Sequence, residues 1–598
     1  MTVQQALTGT APLPDDIRIA SETWLADFEA ALSSRDAGRI GALFHDDCHW
    51  RDVMAFTWDF SSERGRADVA GGLAAAQETT RAEGLHLPAG RKAPRQVKRV
   101  GRDCIEAIFE FKTAIGSGSG IFRLIPEAET GAMKAWHVST ILEELEGHPE
   151  RIGKNRPTGA AYSRNFGGDN WLEVRQKAVA YADREPTVLV IGAAQAGLSV
   201  AARLGAIGVD TLVAERWPRI GDSWRRRYHS LALHNSTHIN HLPFMEFPPT
   251  YPTYIPKDML GNWFEMYAEA MEINCWTNSE LVSARWDEDS GRWEAVLNRG
   301  EDGLRTVRPR HIILANGTSS YPKVPDLPGL SDFEGEVIHA EGFDTGAKWA
   351  GKRALIIGTG TSANDIALDL HSFGVNTTMV QRGSTTVVSI NPSARLNEAI
   401  YNEGPPMADN DLIATSASPA LQADAYRLVV KRMLELDHDM IEGLKRIGFK
   451  FDIGHDETGH QMKYYRRGGG YNLDAGSSEL LIKGEIGLLD YDRIESFSPE
   501  GARLKDGSTV PADVIVLATG YLGQSELVRR TMGQAVVDRL GPVWGLGEDG
   551  ELNNICRRTP QKNLWFIAGG LSHARIRSRY LALQILATEL GLLGPLRP

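Results

Sequence analysis

The stretch Val188-Leu-Val-Ile-Gly192-Ala-Ala194-Gln-Ala-Gly197 joins an apolar run to a helical pattern through a turn of small residues. The four apolar residues predict a buried strand, and Leu198-Ser-Val-Ala-Ala-Arg-Leu predicts the helix that follows. Gly192 suits the tight turn, and Gly197 lets the helix pack close to the strand, so the first-turn amides can bind a pyrophosphate. Ala194 stands where the middle glycine of such a loop is usual. The stretch therefore predicts a dinucleotide-binding βαβ unit.

Glu215 ends the next predicted strand, Asp210-Thr-Leu-Val-Ala-Glu215, which follows the loop. A carboxylate about twenty residues after such a loop typically binds the hydroxyl pair of a ribose. Because no basic residue replaces Glu215, the first nucleotide is expected to lack a 2′-phosphate, which fits FAD. The alternative interpretation of Glu215 is an exposed charge at a strand end.

A second loop of the same kind is Ala354-Leu-Ile-Ile-Gly358-Thr-Gly360-Thr-Ser362-Ala363, again between a strand pattern and a helix pattern. The strand after it ends at Arg382 instead of at an acid. A guanidinium at that position can bind a 2′-phosphate through two N–H groups, so the second nucleotide is predicted to be NADPH. A surface arginine is the competing interpretation of Arg382. Two dinucleotide loops in one chain predict electron transfer between two cofactors.

The two loops form an internal repeat, so the predicted fold class is α/β, with two doubly wound Rossmann-like domains. Two similar strand patterns, His311–Gly317 and Asp513–Tyr521, each end in a small-residue turn and indicate that the second domain is inserted in the first. Thr519 and Gly520 in the later turn are predicted to let the backbone approach a cofactor. The predicted boundaries are 186–330 and 501–598 for the FAD-binding domain and 331–500 for the NADPH-binding domain with a helical insertion.

Residues 1–150 have a different pattern, in which helices come first and long strands follow. Periodicity predicts helices at 17–32, 37–44 and 66–81, and alternating apolar residues predict strands between 104 and 144. Gly116–Gly120 is predicted to be a hairpin turn between two of these strands. This order predicts an α+β cone-like domain at 1–150, followed by a polar linker at 151–185.

Composition excludes several classes of function. A chain of 598 residues is too long for one core, and a chain of this length predicts about three or four domains. The net charge of −12 argues against nucleic acid or an anionic membrane as a partner, since both require a basic face. No apolar run is long enough to span a bilayer, and Met1–Asp16 lacks the pattern of a secretion signal, so a cytoplasmic location is expected. The cysteines lie far apart in sequence, which excludes a local dithiol, as in flavin disulfide reductases, and a zinc knuckle.

Further motifs carry a family resemblance. The most specific is Phe333-Glu-Gly335-Glu-Val-Ile-His339-Ala-Glu-Gly-Phe343, which has the form FxGxxxHxxx(Y/F). The weaker motifs that accompany it are Gly221-x-x-Trp224-Arg225, Leu233-His234-Asn235, Pro322-x-x-Pro325 and Ala518-Thr-Gly-Tyr521. On these motifs, the chain from residue 186 to its end resembles the class B flavin-containing monooxygenases, especially their YUCCA-like branch. Leu43–Asp52 with Gly65-x-x-x-Val resembles the SnoaL/ketosteroid-isomerase-like cone fold.

The first resemblance implies a reaction. NADPH would reduce FAD, reduced flavin would take up O2, and a C4a-hydroperoxyflavin would transfer one oxygen to a soft nucleophile. N- or S-oxygenation of a small organic substrate is the expected outcome. Baeyer–Villiger oxygenation of a ketone is an alternative, although Phe343 stands where the first type of those enzymes carries Trp. YUCCA-like oxidative decarboxylation of an aryl pyruvate is also left open, as are an NADPH oxidase and a dinucleotide-sensing protein.

Four residues outside the loops are candidates for the site. Trp224 and Arg225 are expected to line the flavin or its pyrophosphate. Asn235 is the candidate for a hydrogen bond near the flavin peroxide or the nicotinamide, with a turn-capping role as the alternative. His339 is the second catalytic-region candidate and is expected to order the linker between the domains. Neither a Ser-His-Asp set nor a metal site is predicted.

Two regions are left without a firm role. The N-terminal domain is expected to serve dimerisation, as in a homodimer, or shielding rather than acid–base catalysis. The stretch Tyr464-Tyr-Arg466-Arg-Gly468-Gly-Gly470-Tyr471 is aromatic, basic and glycine-rich and could approach a ligand or cofactor. The ionisable residues of the N-terminal domain that could act in acid–base chemistry are Asp27, His45, Asp47, His49, Asp52 and His137.

Overall fold

The N-terminal domain packs helices against a mixed sheet. The structure, a computed structural model, describes residues 15–159, 162 and 164–594. The first helix buries Trp24 and Phe28 at helical spacing, and Asp36 caps the second by accepting from the Gly38 amide at 2.8 Å. The elements are α1 (Asp15–Ser34), α2 (Ala37–Ala42), β1 (Phe44–Val53), β2 (Phe60–Arg64), α3 (Arg66–Thr80), β3 (Glu83–His86), β4 (Arg95–Arg99), β5 (Arg102–Thr113), β6 (Gly116–Pro126) and β7 (Met133–Leu145).

The strands of this domain follow the order β2-β1-β7-β6-β5-β3, with β4 beside β5. The predicted hairpin turn at Gly116–Gly120 is wrong, because the turn lies at 114–115 and the glycines belong to β6. A Cβ on Gly118 would lie 2.6 Å from the ring of Phe111, and one on Gly120 would overlap the ring of Phe109. These glycines therefore make room for aromatic rings of the neighbouring strand.

A linker helix and the first α/β domain follow. An Asn170–Glu173 capping box starts α4 (Trp171–Ala180). The strands β10-β9-β8-β14 form a parallel sheet, and β11-β12-β13 form a separate antiparallel sheet. The elements are β8 (Val188–Ile191), α5 (Gln195–Ala206), β9 (Thr211–Ala214), α6 (Asp222–Arg225), α7 (Lys257–Ala270), β10 (Asn274–Trp276), β11 (Glu280–Asp287), β12 (Arg292–Asn298), β13 (Leu304–Val307), β14 (His311–Leu314) and β15 (Tyr321–Pro322).

The second α/β domain contains another parallel sheet, in the order β16-β25-β17-β18-β21. Four helices, α9 to α12, are inserted between its strands. The elements are β16 (Glu336–His339), β17 (Arg353–Ile357), α8 (Thr361–Ser372), β18 (Asn376–Gln381), β19 (Thr386–Ser389), α9 (Met407–Ser416), α10 (Pro419–Leu436), α11 (His438–Arg446), α12 (Gly459–Arg467), β20 (Tyr471–Asp474), α13 (Ser477–Lys483), β21 (Gly487–Asp490), β22 (Ile494–Ser498), β23 (Gly501–Leu504), β24 (Thr509–Pro511) and β25 (Val514–Leu517).

The chain then returns to the first domain and completes its sheet with a strand beside β14. The segment that leaves the first domain and the segment that returns to it pair as a short antiparallel ribbon, in which Tyr321 is opposite Leu522. The elements of the return are β26 (Tyr521–Leu522), α14 (Ser525–Thr531), α15 (Gln534–Leu540), β27 (Leu564–Phe566) and α16 (Leu571–Glu589).

One predicted boundary is corrected. The strand expected at Asp513–Tyr521 was assigned to the FAD-binding domain, but β25 lies between β16 and β17 of the second sheet. The first domain therefore resumes at the ribbon and not at residue 501. Strands β14 and β25 belong to different sheets. Each lies just before a segment that passes between the two domains, which is why their sequences are similar.

Helix α9 lies between the N-terminal sheet and the first α/β domain. Arg51 Nε donates to the carbonyl oxygen of Thr415 at 3.0 Å, while Asp411 binds Arg575 of α16 at 2.7 Å. One cluster of buried apolar residues runs through both domains. The N-terminal domain is thus packed into the body of the molecule. In the described ranges, none of the helices combines the length and the apolar composition needed to cross a membrane.

Candidate dinucleotide-binding and active site

The first loop brings its two glycines into close contact. Gly192 has φ +106°, and a Cβ on it would lie 2.9 Å from the carbonyl oxygen of Ala315. A Cβ on Gly197 would overlap the carbonyl oxygen of Gly192. Helix α5 begins directly after Ala194, a residue without a side-chain acceptor, so its first-turn amides and positive dipole end can face an anion. The loop fits a pyrophosphate.

Ala194 adopts an extended backbone, with φ −93° and ψ −168°. Alanine reaches this conformation without strain, because the left-handed region is not required here. The replacement of the usual glycine therefore leaves the backbone path of the loop intact.

Glu215 is buried, with 5% of its surface exposed, so it is not the exposed strand-end charge of the alternative interpretation. Its carboxylate accepts from the amides of Ala193 at 2.8 Å and Trp217 at 3.0 Å. Burial raises the pKa of Glu215, and these two amides oppose that rise. Each carboxylate oxygen keeps a lone pair, which suits the hydroxyl pair of a ribose.

A second glycine turn, absent from the sequence prediction, lies beside the first loop. Gly569 and Gly570 follow β27 and precede α16, whose N-cap is Gly570. The side chain of Gln195, the first residue of α5, donates to the carbonyl oxygen of Gly569 at 3.1 Å. The N-termini of α5 and α16 therefore meet at one place. The signal that could have found this turn is the apolar run Leu564–Ala568 followed by two glycines and a helical pattern.

Trp224 and Arg225 have different partners. Trp224 Nε1 donates to the side chain of Gln195 at 3.1 Å, which places the indole next to the first loop. The guanidinium of Arg225 instead binds Asp222 at 2.9 Å and Glu265 at 3.1 Å. Arg225 thus joins α6 to α7, and its charge is balanced by these two acids.

The second loop has the same local geometry as the first. A Cβ on Gly358 would lie 2.5 Å from the carbonyl oxygen of Ala518. Helix α8 begins after Gly360, and Ser362 lies in its first turn. Arg382, one residue beyond β18, is exposed at the same end of the sheet. The predicted residues of the second nucleotide are therefore gathered at the carboxyl ends of two adjacent strands.

Thr519, Gly520 and His339 lie together at the crossing between the domains. The Thr519 hydroxyl donates to the carbonyl oxygen of Lys323 at 2.6 Å. His339 Nδ1 accepts from the Glu341 amide at 3.1 Å, so Nε2 donates to the carbonyl oxygen of Gly520 at 3.0 Å. Burial lowers the pKa of His339. Both ring nitrogens are used by the backbone, which agrees with an ordering role for this histidine.

Asn235 follows His234, a residue that connects the two α/β domains. His234 Nε2 lies 3.4 Å from the carboxylate of Asp365 on α8, which also accepts from the Tyr228 hydroxyl at 2.5 Å. After Asn235, the amide of Ser236 donates to the buried carboxylate of Glu398 at 3.0 Å. Asn235 is therefore held between the second dinucleotide helix and the segment that leads to α9.

The ionisable residues of the N-terminal domain do not form one site. Asp52 lies on the inner side of the sheet and accepts from the hydroxyls of Thr57 and Thr140, both at 2.7 Å. Burial raises its pKa to about 6. His137 contacts α9 on the other side, with Nε2 2.8 Å from the carbonyl oxygen of Ser416, and Asp27 is exposed. Rings of Trp24, Phe28, Phe44, Phe109 and Phe122 fill the inside of the domain.

Comparisons with known proteins agree with the two-loop geometry. A family model described as "Flavin-binding monooxygenase-like" matches residues 186–400. Indole-3-pyruvate monooxygenase YUCCA1 of Oryza sativa subsp. japonica is 30% identical over 337 residues, which are 56% of this chain and 77% of that protein. Indole-3-pyruvate monooxygenase YUCCA6 of Arabidopsis thaliana is 29% identical over 336 residues, or 56% and 75%.

Solved structures give weaker similarities. The flavin-containing monooxygenase from Stenotrophomonas maltophilia is 18% identical and aligns with a TM-score of 0.46 over 67% of this chain and 98% of that one. A closed cyclohexanone monooxygenase is also 18% identical and aligns with a TM-score of 0.49 over 68% and 85%.

Proposed function

Because the chain belongs to the family of flavin-binding monooxygenase-like proteins, we propose that it uses FAD and NADPH to oxygenate a soft nitrogen or sulfur atom of a small organic substrate. The observation that carries the proposal is the pair of glycine loops, each at the carboxyl end of a buried parallel strand and the start of a helix. The crossing ribbon between the two sheets connects the two dinucleotide sites.

The residues of the first domain would hold FAD. First-turn amides of α5 and α16 bind its pyrophosphate, Glu215 binds a ribose, and the Trp224 indole lines the loop. Bound flavin supplies the redox and O2 chemistry. The protein would contribute positioning and the exclusion of water, and we assign the exclusion of water to α9 and the N-terminal domain packed against it.

The second domain would bind NADPH through Gly358, Gly360 and Ser362, with Arg382 on the 2′-phosphate. Asn235 would donate a hydrogen bond near the flavin or the nicotinamide. Its position after the His234–Asp365 contact supports this role, because that contact ties its loop to the NADPH helix.

Exchange of Arg382 for glutamate is expected to lower the ratio of kcat/KM with NADPH to that with NADH by about 100-fold, since a charged hydrogen bond is lost and a like charge is added. Lys352→Glu makes the same charge change at an exposed position before β17, at the opposite end of the sheet, and is expected to leave the ratio unchanged. Steady-state kinetics with NADPH and with NADH measure this ratio for each variant. Equal ratios for wild type and Arg382→Glu would contradict the assignment.

A second candidate reaction is oxidative decarboxylation of an aryl pyruvate. It is favoured by the relatives that match over about three quarters of their length, which are indole-3-pyruvate monooxygenases. Baeyer–Villiger oxygenation of a ketone is the third candidate. Phe343 is buried and stacks on Trp349 at 5.7 Å, so it packs the core of the second domain.

The N-terminal domain is proposed to be a SnoaL-like module that shields the site and has no acid–base role. Its interior is filled with aromatic rings, and Asp52 is already bound by hydroxyls and amides. Its outer face contacts α9, which lies outside the residues that the family model matches.

The proposed function is tested by product formation. Purified protein with FAD and NADPH is incubated in turn with a tertiary amine, a sulfide, a cyclic ketone and an aryl pyruvate, and product and hydrogen peroxide are both measured. We expect an N-oxide or sulfoxide in near-equal amount to the NADPH consumed. Product from the aryl pyruvate alone would support the second candidate. Peroxide in amount equal to NADPH with every substrate would identify an oxidase instead.

A further inference from the structure

The aromatic, glycine-rich stretch at 464–471 contacts the first domain. Tyr464 and Tyr465 belong to α12 of the inserted helices, yet both rings lie against the first turn of α16. The Tyr465 hydroxyl is 2.7 Å from His573 Nε2, and the two rings stack with centroids 5.2 Å apart. A helix of the insertion is thus joined to the glycine turn that we place at FAD.

His573 is folded back over that turn. A Cβ on Gly569 would lie 3.0 Å from His573 Nδ1, and Gly569 has φ +117°, so glycine is required for both space and backbone. The carbonyl oxygen of Gly569 accepts from Gln195, the first residue of α5. The His573 ring therefore lies where the N-termini of α5 and α16 meet.

The other ring nitrogen of His573, Nδ1, is buried and has no hydrogen-bond partner in the described part of the chain. Burial, followed by the charge of Arg577, lowers the pKa of His573 to about 3, so the ring is neutral at physiological pH. A neutral imidazole has one N–H and one acceptor nitrogen, and a buried N–H without a partner is costly.

The contact with Tyr465 bears on which nitrogen of His573 carries the proton. The Tyr465 hydroxyl lies 2.7 Å from His573 Nε2 and, by donating to it, leaves the hydrogen of the neutral ring on Nδ1.

We propose that His573 is a further residue of the FAD site, held by Tyr465 as the tautomer whose Nδ1–H donates a hydrogen bond to an acceptor atom of the dinucleotide. Tyr465 is a positioning residue in this arrangement, because it acts on the cofactor only through the imidazole. The inference rests on the proposed function. It adds that a helix inserted in the second domain sets the hydrogen bonding of the flavin site in the first.

The test is the FAD dissociation constant of the apoprotein, measured from the quenching of flavin fluorescence on binding. His573→Leu removes the donor and is expected to weaken FAD binding about 10-fold, and Tyr465→Phe about 3-fold because the tautomer is no longer fixed. His573→Asn is the rescue variant. Its amide nitrogen occupies the place of Nδ1, so we expect affinity within about 2-fold of wild type, and no further loss when Tyr465→Phe is added.

Tyr267→Phe is the matched control. It removes another buried phenol of the first domain, which donates to the carbonyl oxygen of Pro243 at 2.9 Å, and is expected to leave FAD affinity unchanged. Unchanged affinity in His573→Leu and Tyr465→Phe would overturn the inference, as would binding by His573→Asn as weak as that by His573→Leu. Wild-type protein that binds no FAD would refute the proposed function itself.

Discussion

Alanine at position 197 is expected to abolish FAD binding. The added Cβ would overlap the carbonyl oxygen of Gly192, which is backbone and cannot rotate away. Either the loop or the start of α5 must move, so the amides that would bind the pyrophosphate lose their positions. We expect the variant to be purified without colour and to bind FAD at least about 100-fold more weakly in a fluorescence titration.

Gly205→Ala provides the matched control in the same helix. A Cβ on Gly205 meets nothing within 4 Å of it in the described part of the chain. Alanine in a helix interior is about 1 kcal/mol more favourable than glycine, so this variant is expected to keep its flavin and to unfold at the same or a higher temperature. A Gly197→Ala protein that retained a full complement of FAD would show that the first loop does not hold the pyrophosphate.

Elements that are determined by residues close together in the sequence could be predicted. The strand before Gly192 and the helix after it are specified by a four-residue apolar run and by helical periodicity. The same holds for the loop at Gly358 and for helix α3. The position of Glu215 follows from its spacing after the first loop, although only the structure shows how deeply it is buried.

Features that depend on contacts between residues far apart in the sequence could not be predicted. Gly116–Gly120 looks like a turn, but Gly118 and Gly120 are required by rings on the adjacent strand, which sequence spacing does not show. The β25 strand resembles β14 in sequence, so its sheet could not be assigned. His573 is separated from Tyr465 by more than a hundred residues of chain, and only packing of α12 against α16 brings them together.

Loss of the buried Arg51–Glu551 ion pair is expected to destabilise the whole protein. Arg51 of the N-terminal domain is 3% exposed and Glu551 of the first α/β domain is 4% exposed. Burial works to raise the pKa of Glu551, but Arg51 and then Arg577 hold it below its ordinary value. Arg51→Met leaves this carboxylate buried without its main partner, which costs about 3–5 kcal/mol in the free energy of unfolding measured with urea.

The double variant Arg51→Met/Glu551→Gln separates the charge effect from the loss of packing. It removes both charges, so we expect it to recover at least about half of the loss, which is about 2 kcal/mol. Asp59→Asn is the control, because Asp59 and Arg557 form another ion pair between the same domains that is 50% and 20% exposed. Exposed pairs contribute less than about 1 kcal/mol. If Arg51→Met were no more destabilising than Asp59→Asn, the N-terminal domain would not depend on this ion pair for its attachment.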